Sequence, residues 1–249
     1  MEKLVIRVPV ADLRAKPEHR SERTSQALFG HTVQVLERRE QFLRVGTEDR
    51  YQGWLAASYC AESSAASGHE VVVSSNFATV ESHQSTLILS YGSRLLSGAG
   101  GRFLSPIDGS PLMLRAGQVL DRDVQPTGNP IELARQFIGI PYLWGGISTF
   151  GFDCSGLTQA TFRRQGIILP RDSKDQAKEG EEVAREQLRP GDLLFWPGHV
   201  ALYAGEQSII HATRLRGMVV EESLDRKSKR FRDDLADSIT SIRRIAVSN

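Results

Sequence analysis

The chain has 249 residues, enough for a sizeable core and for more than one domain. Its 31 basic and 30 acidic residues leave a net charge of +1, which argues against a protein built to hold nucleic acid or an anionic membrane surface. No stretch approaches the ~20 apolar residues of a membrane span, and two cysteines, Cys60 and Cys154, make no disulfide framework and suit a reducing cytosol.

The start, Met1 to Ile6, is too short an apolar run for a secretory signal, and charge returns at Arg7. The expected compartment is therefore the cytoplasm, with periplasm or cell surface following only if a leader has been removed from this sequence. Residues 1–61 hold short β-rich runs at Leu4–Val10, Thr32–Glu37, Phe42–Val45 and Gly53–Ala56, which predict a small antiparallel barrel. Residues 62–68 are small and polar and read as a linker. Residues 69–124 repeat the pattern with runs at Val71–Val73, Thr86–Leu89, Arg94–Leu96, Phe103–Leu104 and Pro111–Leu114.

A second break at Gln125–Pro130 precedes the third segment, residues 130–249. Asn129 is placed to cap a helix with Pro130 at its first position. The run Ile131–Ile138 puts Leu133, Phe137 and Ile138 on one apolar side. A second helix is expected from near Cys154 to about Gln165, ended by Gly166. Strand-like runs follow at Asp192–Trp196, His199–Ala204 and Ser208–Ala212, so the segment reads as α+β. The basic run Lys227–Arg232, with Asp233 and Asp234 after it, reads as a solvated charged helix.

Chemistry concentrates around Cys154. Small and turn-forming residues precede it and a helical pattern follows, so its sulfur is expected at a helix N-terminus. Unpaired N–H groups there favour a thiolate and can hold a developing oxyanion. A thiol nucleophile also needs a base that later protonates the leaving amine. His199 opens one predicted strand and His211 closes the next, and a turn at Gly205-Glu206 brings the two together. One is the base and the other orients it, and spacing alone does not assign the roles. Taken singly, a cysteine in an apolar domain is more often an inert buried thiol. Three such residues are also a zinc ligand set, but no CxxC or HxxxH pair is present, so neither metal nor cofactor is expected.

Six strings occur in a fixed order: Pro141-Tyr142-Leu143-Trp144-Gly145-Gly146, Phe152-Asp153-Cys154-Ser155-Gly156, Leu169-Pro170-Arg171, Arg189-Pro190-Gly191-Asp192-Leu193, Gly198-His199-Val200-Ala201-Leu202-Tyr203 and Ile210-His211. Together they resemble the NlpC/P60 family of cysteine peptidases. The resemblance implies a papain-like α+β domain over 130–249 and a Cys154–His199–His211 triad, with Cys154 as nucleophile, His199 as base and His211 as the orienting residue. It implies cleavage of the bond between γ-D-glutamate and a diamino acid in peptidoglycan peptides. Tyr142 would lie near the nucleophile and support the oxyanion. The two N-terminal segments resemble bacterial SH3-type barrels, 1–61 and 69–124.

A narrower subgroup with such barrels acts on stem peptides, L-Ala-γ-D-Glu-diamino acid, with a free N-terminal L-Ala, and this sequence resembles it. Glu22, in the expected loop Ser21–Gly30, matches that subgroup's amine-binding acid. Tyr51, Asp153, Ser155 and Ser173 match its other substrate-contacting positions. At position 31 the subgroup leads one to expect an acid, and His31 stands there. A carboxylate such as Glu22, with Asp153 as second acceptor, would pair with the protonated amine, and a barrel beside it would exclude longer chains. Two other readings compete: the same chemistry on intact wall by a secreted hydrolase, and a non-catalytic wall-binding module. The missing leader and Glu22 argue against the first. The complete Cys154, His199 and His211 set argues against the second.

Overall fold

Ala11 and Leu13 point inward from one short strand, and Val33, Leu43, Val45 and Leu55 from other strands of the same sheet. Period-two alternation, with no long apolar run, builds this N-terminal core. The computed structural model describes residues 2–63, 68–82, 85–121 and 129–246. The parts of the two expected linkers at 64–67 and 125–128 lie outside them. The chain divides into two units, Met1–Gln125 and Pro126–Asn249.

In the first unit, β1 (Lys3–Ile6), β2 (Val10–Arg14), β3 (Arg23–Leu28), β4 (Thr32–Arg39), β5 (Phe42–Gly46), β6 (Gln52–Ala56) and β7 (Cys60–Ala61) form an antiparallel sheet in the order β3-β2-β6-β5-β4-β1-β7. Two expectations need correction. The run Leu4–Val10 is two strands, broken at 7–9, where Pro9 has no N–H to give to a ladder. The segment Ser21–Gly30 is not all loop: Arg23–Leu28 is β3, paired with β2 from Val10↔Leu28 to Arg14↔Arg23.

The second sheet comprises β8 (His69–Val73), β9 (Phe77–Glu81), β10 (Thr86–Ser90), β11 (Arg94–Ser97), β12 (Phe103–Leu104), β13 (Pro111–Ala116) and β14 (Val119–Asp121), in the order β10-β9-β13-β12-β11-β8-β14. Both sheets are SH3-like. Just after β3 the first sheet reaches into the second sheet's core, because Phe29 packs among Val71, Val80, Leu89 and Leu95. Gly30 next to it has φ of 78°, and a Cβ there would stand 2.2 Å from the Arg94 carbonyl oxygen. His31 is buried, with Nε2 3.0 Å from the Gly92 carbonyl oxygen. A histidine at this position thus serves the junction between the two sheets. Arg94 also pairs with Glu48 of the first sheet and, at 3.4 Å, with Glu70 of the second.

The second unit opens with α1 (Pro130–Gln136), where the Asn129 side chain accepts the N–H of Ile131 at 2.9 Å. Leu133 and Phe137 are buried, but Ile138 is 45% exposed. The helix stops at Gln136, so helical periodicity no longer aims Ile138 inward. A small hairpin, β15 (Ile147–Ser148) and β16 (Gly151–Phe152), leads into α2 (Cys154–Arg163), which ends two residues before Gln165. Then come α3 (Ser173–Gln176), β17 (Glu181–Glu182), β18 (Leu193–Trp196), β19 (His199–Gly205), β20 (Ser208–Thr213), β21 (Met218–Ser223), α3's later counterpart α4 (Asp233–Ala236) and β22 (Ser241–Arg244).

The antiparallel sheet of this α+β unit runs β17-β22-β18-β19-β20-β21. Helix α2 packs on β19 and β20, while Leu194, Trp196, Ala201 and Ile209 join Leu224, Leu235 and Ile242 in a separate core cluster. All four residues of β18 are buried, as a strand covered on both faces requires. Residues 226–230 form turns, and the expected charged helix there is absent because α4 begins only at Asp233. Among the described residues no helix is long and apolar enough to cross a membrane.

Candidate active site

The position of Cys154 is set by the residue before it. Asp153 has extended backbone (φ −91°, ψ 178°) and caps α2, its carboxylate accepting the Gly156 N–H at 2.8 Å. The same carboxylate accepts the Gly145 N–H at 2.9 Å, the Ser155 hydroxyl at 3.2 Å and both terminal nitrogens of Arg171. Those five donors fill its lone pairs. Gly156 is required by close approach: a Cβ there would lie 2.0 Å from the Gly146 carbonyl oxygen. Cys154 is thus the first residue of α2, as expected, and its side chain is buried.

The sulfur is close enough to the backbone N–H groups of Val200 and Ser155 to be stabilised by them as a thiolate, and Val200 follows His199 at the start of β19. The expected lowering of the thiol pKa does not occur. Burial, then the negative charge of Asp153, push it up to about 11, and the two N–H groups with Arg171 only partly oppose this. A helix of ten residues offers a partial charge at its end, but Asp153, the cap, already meets it with a full negative charge.

The histidines form a row across the sheet. Leu202 of β19 pairs with Ile210 of β20, so His211 lies diagonally from His199 on the same face. Their rings meet with His199 Nε2 2.8 Å from His211 Nδ1. His211 does not close its strand, since β20 runs on to Thr213. The row continues one strand further. His211 pairs with Val220, and Glu222, two residues along β21, places Oε2 2.9 Å from His211 Nε2. Glu222 also accepts from Arg216 Nε at 2.8 Å and from Arg232 Nη1.

Burial first, then the neighbouring His211 ring and the Arg232 guanidinium, push His199 down to about 3. Burial would raise Glu222, but hydrogen bonds from His211, Arg216 and Arg232 prevail and hold it at about 2. Glu222 and its two arginines were not singled out by sequence reading. The signal was faint: one of two adjacent acids in a short apolar run, and an arginine inside a basic cluster read as solvent-facing.

Tyr142 is half-buried, and its N–H bonds the Gly217 carbonyl oxygen at 2.7 Å in the β20–β21 turn. Burial, then the charges of Cys154 and Asp153, push its hydroxyl up to about 12, so it stays a donor. The Ser155 hydroxyl accepts Arg171 Nη1 at 2.8 Å. Half-buried Ser173 opens α3, which is tied to α2 through Gln176 and Thr158 at 2.7 Å. The structure therefore gathers Cys154, His199, His211, Tyr142, Asp153 and Ser155, with Ser173 on the adjoining helix. Glu22 and Tyr51 belong to the first unit: Glu22 is exposed just before β3, and half-buried Tyr51 just before β6 packs on the first core.

Comparison with known proteins gives a consistent result. Residues 139–232 match the NlpC/P60 family, and residues 13–59 match the bacterial dipeptidyl-peptidase Sh3 domain. Dipeptidyl-peptidase 6 of Lysinibacillus sphaericus is 31% identical, with 94% of this chain and 96% of that protein aligned. The gamma-D-glutamyl-L-lysine dipeptidyl-peptidase of Bacillus subtilis is 44% identical, over 34% of this chain and 31% of its own length. The crystal structure of an NlpC/P60 family protein from Bacillus cereus superposes with a TM-score of 0.86 at 25% identity, covering 98% of this chain and 99% of that one.

Proposed function

The chain belongs to the NlpC/P60 family of peptidases, and from that premise we propose that it is a cysteine-type endopeptidase cleaving the bond between γ-D-glutamate and a diamino acid in peptidoglycan-derived peptides with a free N-terminal L-Ala. The observation that carries the reading is the row itself: a thiol at a helix start, near the Val200 N–H, and at the residue before Val200 an imidazole that is backed by a second imidazole. The name of the Bacillus subtilis relative supports the γ-D-glutamyl bond and a diamino acid on its far side.

In the proposed reaction His199 takes the thiol proton as Cys154 Sγ attacks the γ-carbonyl carbon. The tetrahedral oxyanion is held by backbone N–H at the start of α2 and by the Tyr142 hydroxyl. His199 then gives the proton to the leaving amine, the C–N bond breaks, and a thioester remains. Water, deprotonated by His199, hydrolyses the thioester and frees the thiol. The L-Ala ammonium needs a carboxylate partner, the role that the family resemblance gives Glu22 and with it Tyr51, while Ser155 and Ser173 are the further contacts on the peptidase unit. Asp153 could reach the amine only by giving up one of its five donors.

Free stem peptide, its N-acetylated form and whole sacculi are the substrates that test this. Rapid cleavage of the free peptide alone supports the reading. A charge-assisted contact with a buried ammonium is worth about 1.5–3 kcal/mol, roughly ten- to a hundredfold in kcat/KM. Glu22→Gln should therefore slow the free peptide by that factor and leave the acetylated one unchanged. Equal cleavage of free and acetylated peptides by the wild type would instead make this a general wall hydrolase.

A further inference from the structure

The Glu222 carboxylate fixes where protons sit in the histidine row. Its side chain is 4% exposed, and the charged groups facing it are His211 from β20, Arg216 from the β20–β21 turn and Arg232 ahead of α4. Asp234 backs Arg232 with two hydrogen bonds, at 2.8 and 2.7 Å. Neighbouring Glu221 faces elsewhere, to Arg135 at 3.2 Å. The buried part of this network, Glu222 with His211 and Arg232, adds little stability over an apolar replacement. Its use is then better sought in orientation.

A carboxylate only accepts, so the proton between Glu222 and His211 belongs to His211 Nε2. Neutral imidazole has one N–H, which leaves His211 Nδ1 as a lone pair. His199 Nε2, 2.8 Å away, must donate to it. The one nitrogen of His199 then left for the thiol, Nδ1, is bare. We infer that Glu222 is a positioning residue which, through the tautomers of His211 and His199, keeps His199 Nδ1 free to accept the Cys154 proton. The inference rests on the reading of His199 as the base. Without the carboxylate His211 is free to carry its proton on Nδ1 and donate to His199 Nε2. His199 would then hold its proton on Nδ1, facing the thiol with no lone pair.

Two measurements test it. Histidine 15N NMR of the Cys154→Ser protein, with Glu222 intact, should show His199 and His211 both protonated at Nε2 and bare at Nδ1 near pH 7. A proton on Nδ1 of either ring overturns the inference, with no need for a variant at 222 to fold. In the second, Glu222→Gln should lower kcat for the free-amine peptide with KM near wild type, and Glu222→Asp should recover part of the loss. Amide for carboxylate directly behind a catalytic imidazole costs about 10⁴ in kcat, so one imidazole further away the expected loss is about ten- to a thousandfold. The variant's NMR should show mixed tautomers. Wild-type kcat with unmixed tautomers in Glu222→Gln overturns the inference while leaving the peptidase reading intact. Full activity in Cys154→Ala sinks that reading instead.

Discussion

Arg171 closes on Asp153 with both terminal nitrogens, and Asp153 caps the helix that begins with Cys154. The guanidinium is 2% exposed and the carboxylate 8%, so neither charge has water to fall back on. Truncating one partner of such a pair costs about 3–5 kcal/mol. Arg171→Met should lose that much stability in urea unfolding. Arg171→Lys should rescue little, because an ammonium cannot bind both oxygens in parallel. A loss below about 1 kcal/mol for Arg171→Met would mean the pair behaves as a surface contact.

The resting thiol and imidazole are both neutral, since burial drives Cys154 up to about 11 and His199 down to about 3. The base must be unprotonated to work, so activity should hold as pH falls through 6.5, the ordinary histidine value, and fail only towards 3. Proton transfer should accompany attack, giving a solvent deuterium isotope effect on thioester formation. An acid limb near 6.5 in kcat/KM would rule out the neutral pair.

The same shift predicts a stability profile. His199 binds its proton more weakly folded than unfolded, so its contribution is fully present above 6.5 and is lost as pH falls towards 3. Glu222 contributes fully above its ordinary 4.5, and that part is lost as pH falls to about 2. Urea midpoints should therefore fall steadily below pH 6.5. His199→Gln should flatten the upper part of the slope and Glu222→Gln the lower part. A midpoint constant from pH 7 to pH 3 would contradict both.

Only one of the two thiols should matter. Cys60 lies in the first sheet's core, and burial, partly opposed by the positive charge of Arg38, pushes it up to about 11. Its thiolate fraction near pH 7.5 is on the order of 10⁻⁴. Cys154 is pushed equally high but has an imidazole at hand to take its proton. Iodoacetamide should modify Cys154 first, Cys154→Ala should abolish turnover and Cys60→Ser should keep it. A thiol mechanism needs no metal, so EDTA should leave the rate unchanged. Peptide mapping that finds activity after complete Cys154 alkylation would refute the mechanism.

Gly30 is a tight point of the junction between the two N-terminal sheets. Gly30→Ala meets a left-handed backbone at φ of 78° and a carbonyl oxygen 2.2 Å from the new Cβ. The left-handed conformation alone costs about 1–2 kcal/mol, and relief of the clash must move Phe29 or Arg94. Calorimetry of the variant should show the first unit melting several degrees lower, with peptidase-unit residues unaffected in hydrogen exchange. An unchanged melting profile would show that the junction yields freely.

Local rules carried much of this protein. Asn129 and Pro130 announced a helix start, Gly166 a helix end, and the turn-bounded short runs two strand-rich segments, because caps, turns and period-two patterns act over a few residues. Cys154, His199 and His211 could be named as a group because the family's motifs lie in fixed order. The strand β3, the exposure of Ile138 and the high thiol pKa were not visible. Each depends on where a ladder ends or on what encloses a group. Glu221 and Glu222 make the division plainest. In sequence they are interchangeable neighbours, but a strand turns successive side chains to opposite faces. Pairing of β20 with β21 sends Glu221 to Arg135 on α1 and Glu222 to His211. Residue type supplied the acid, and only the register of the folded sheet decided which one stands behind His211 and His199.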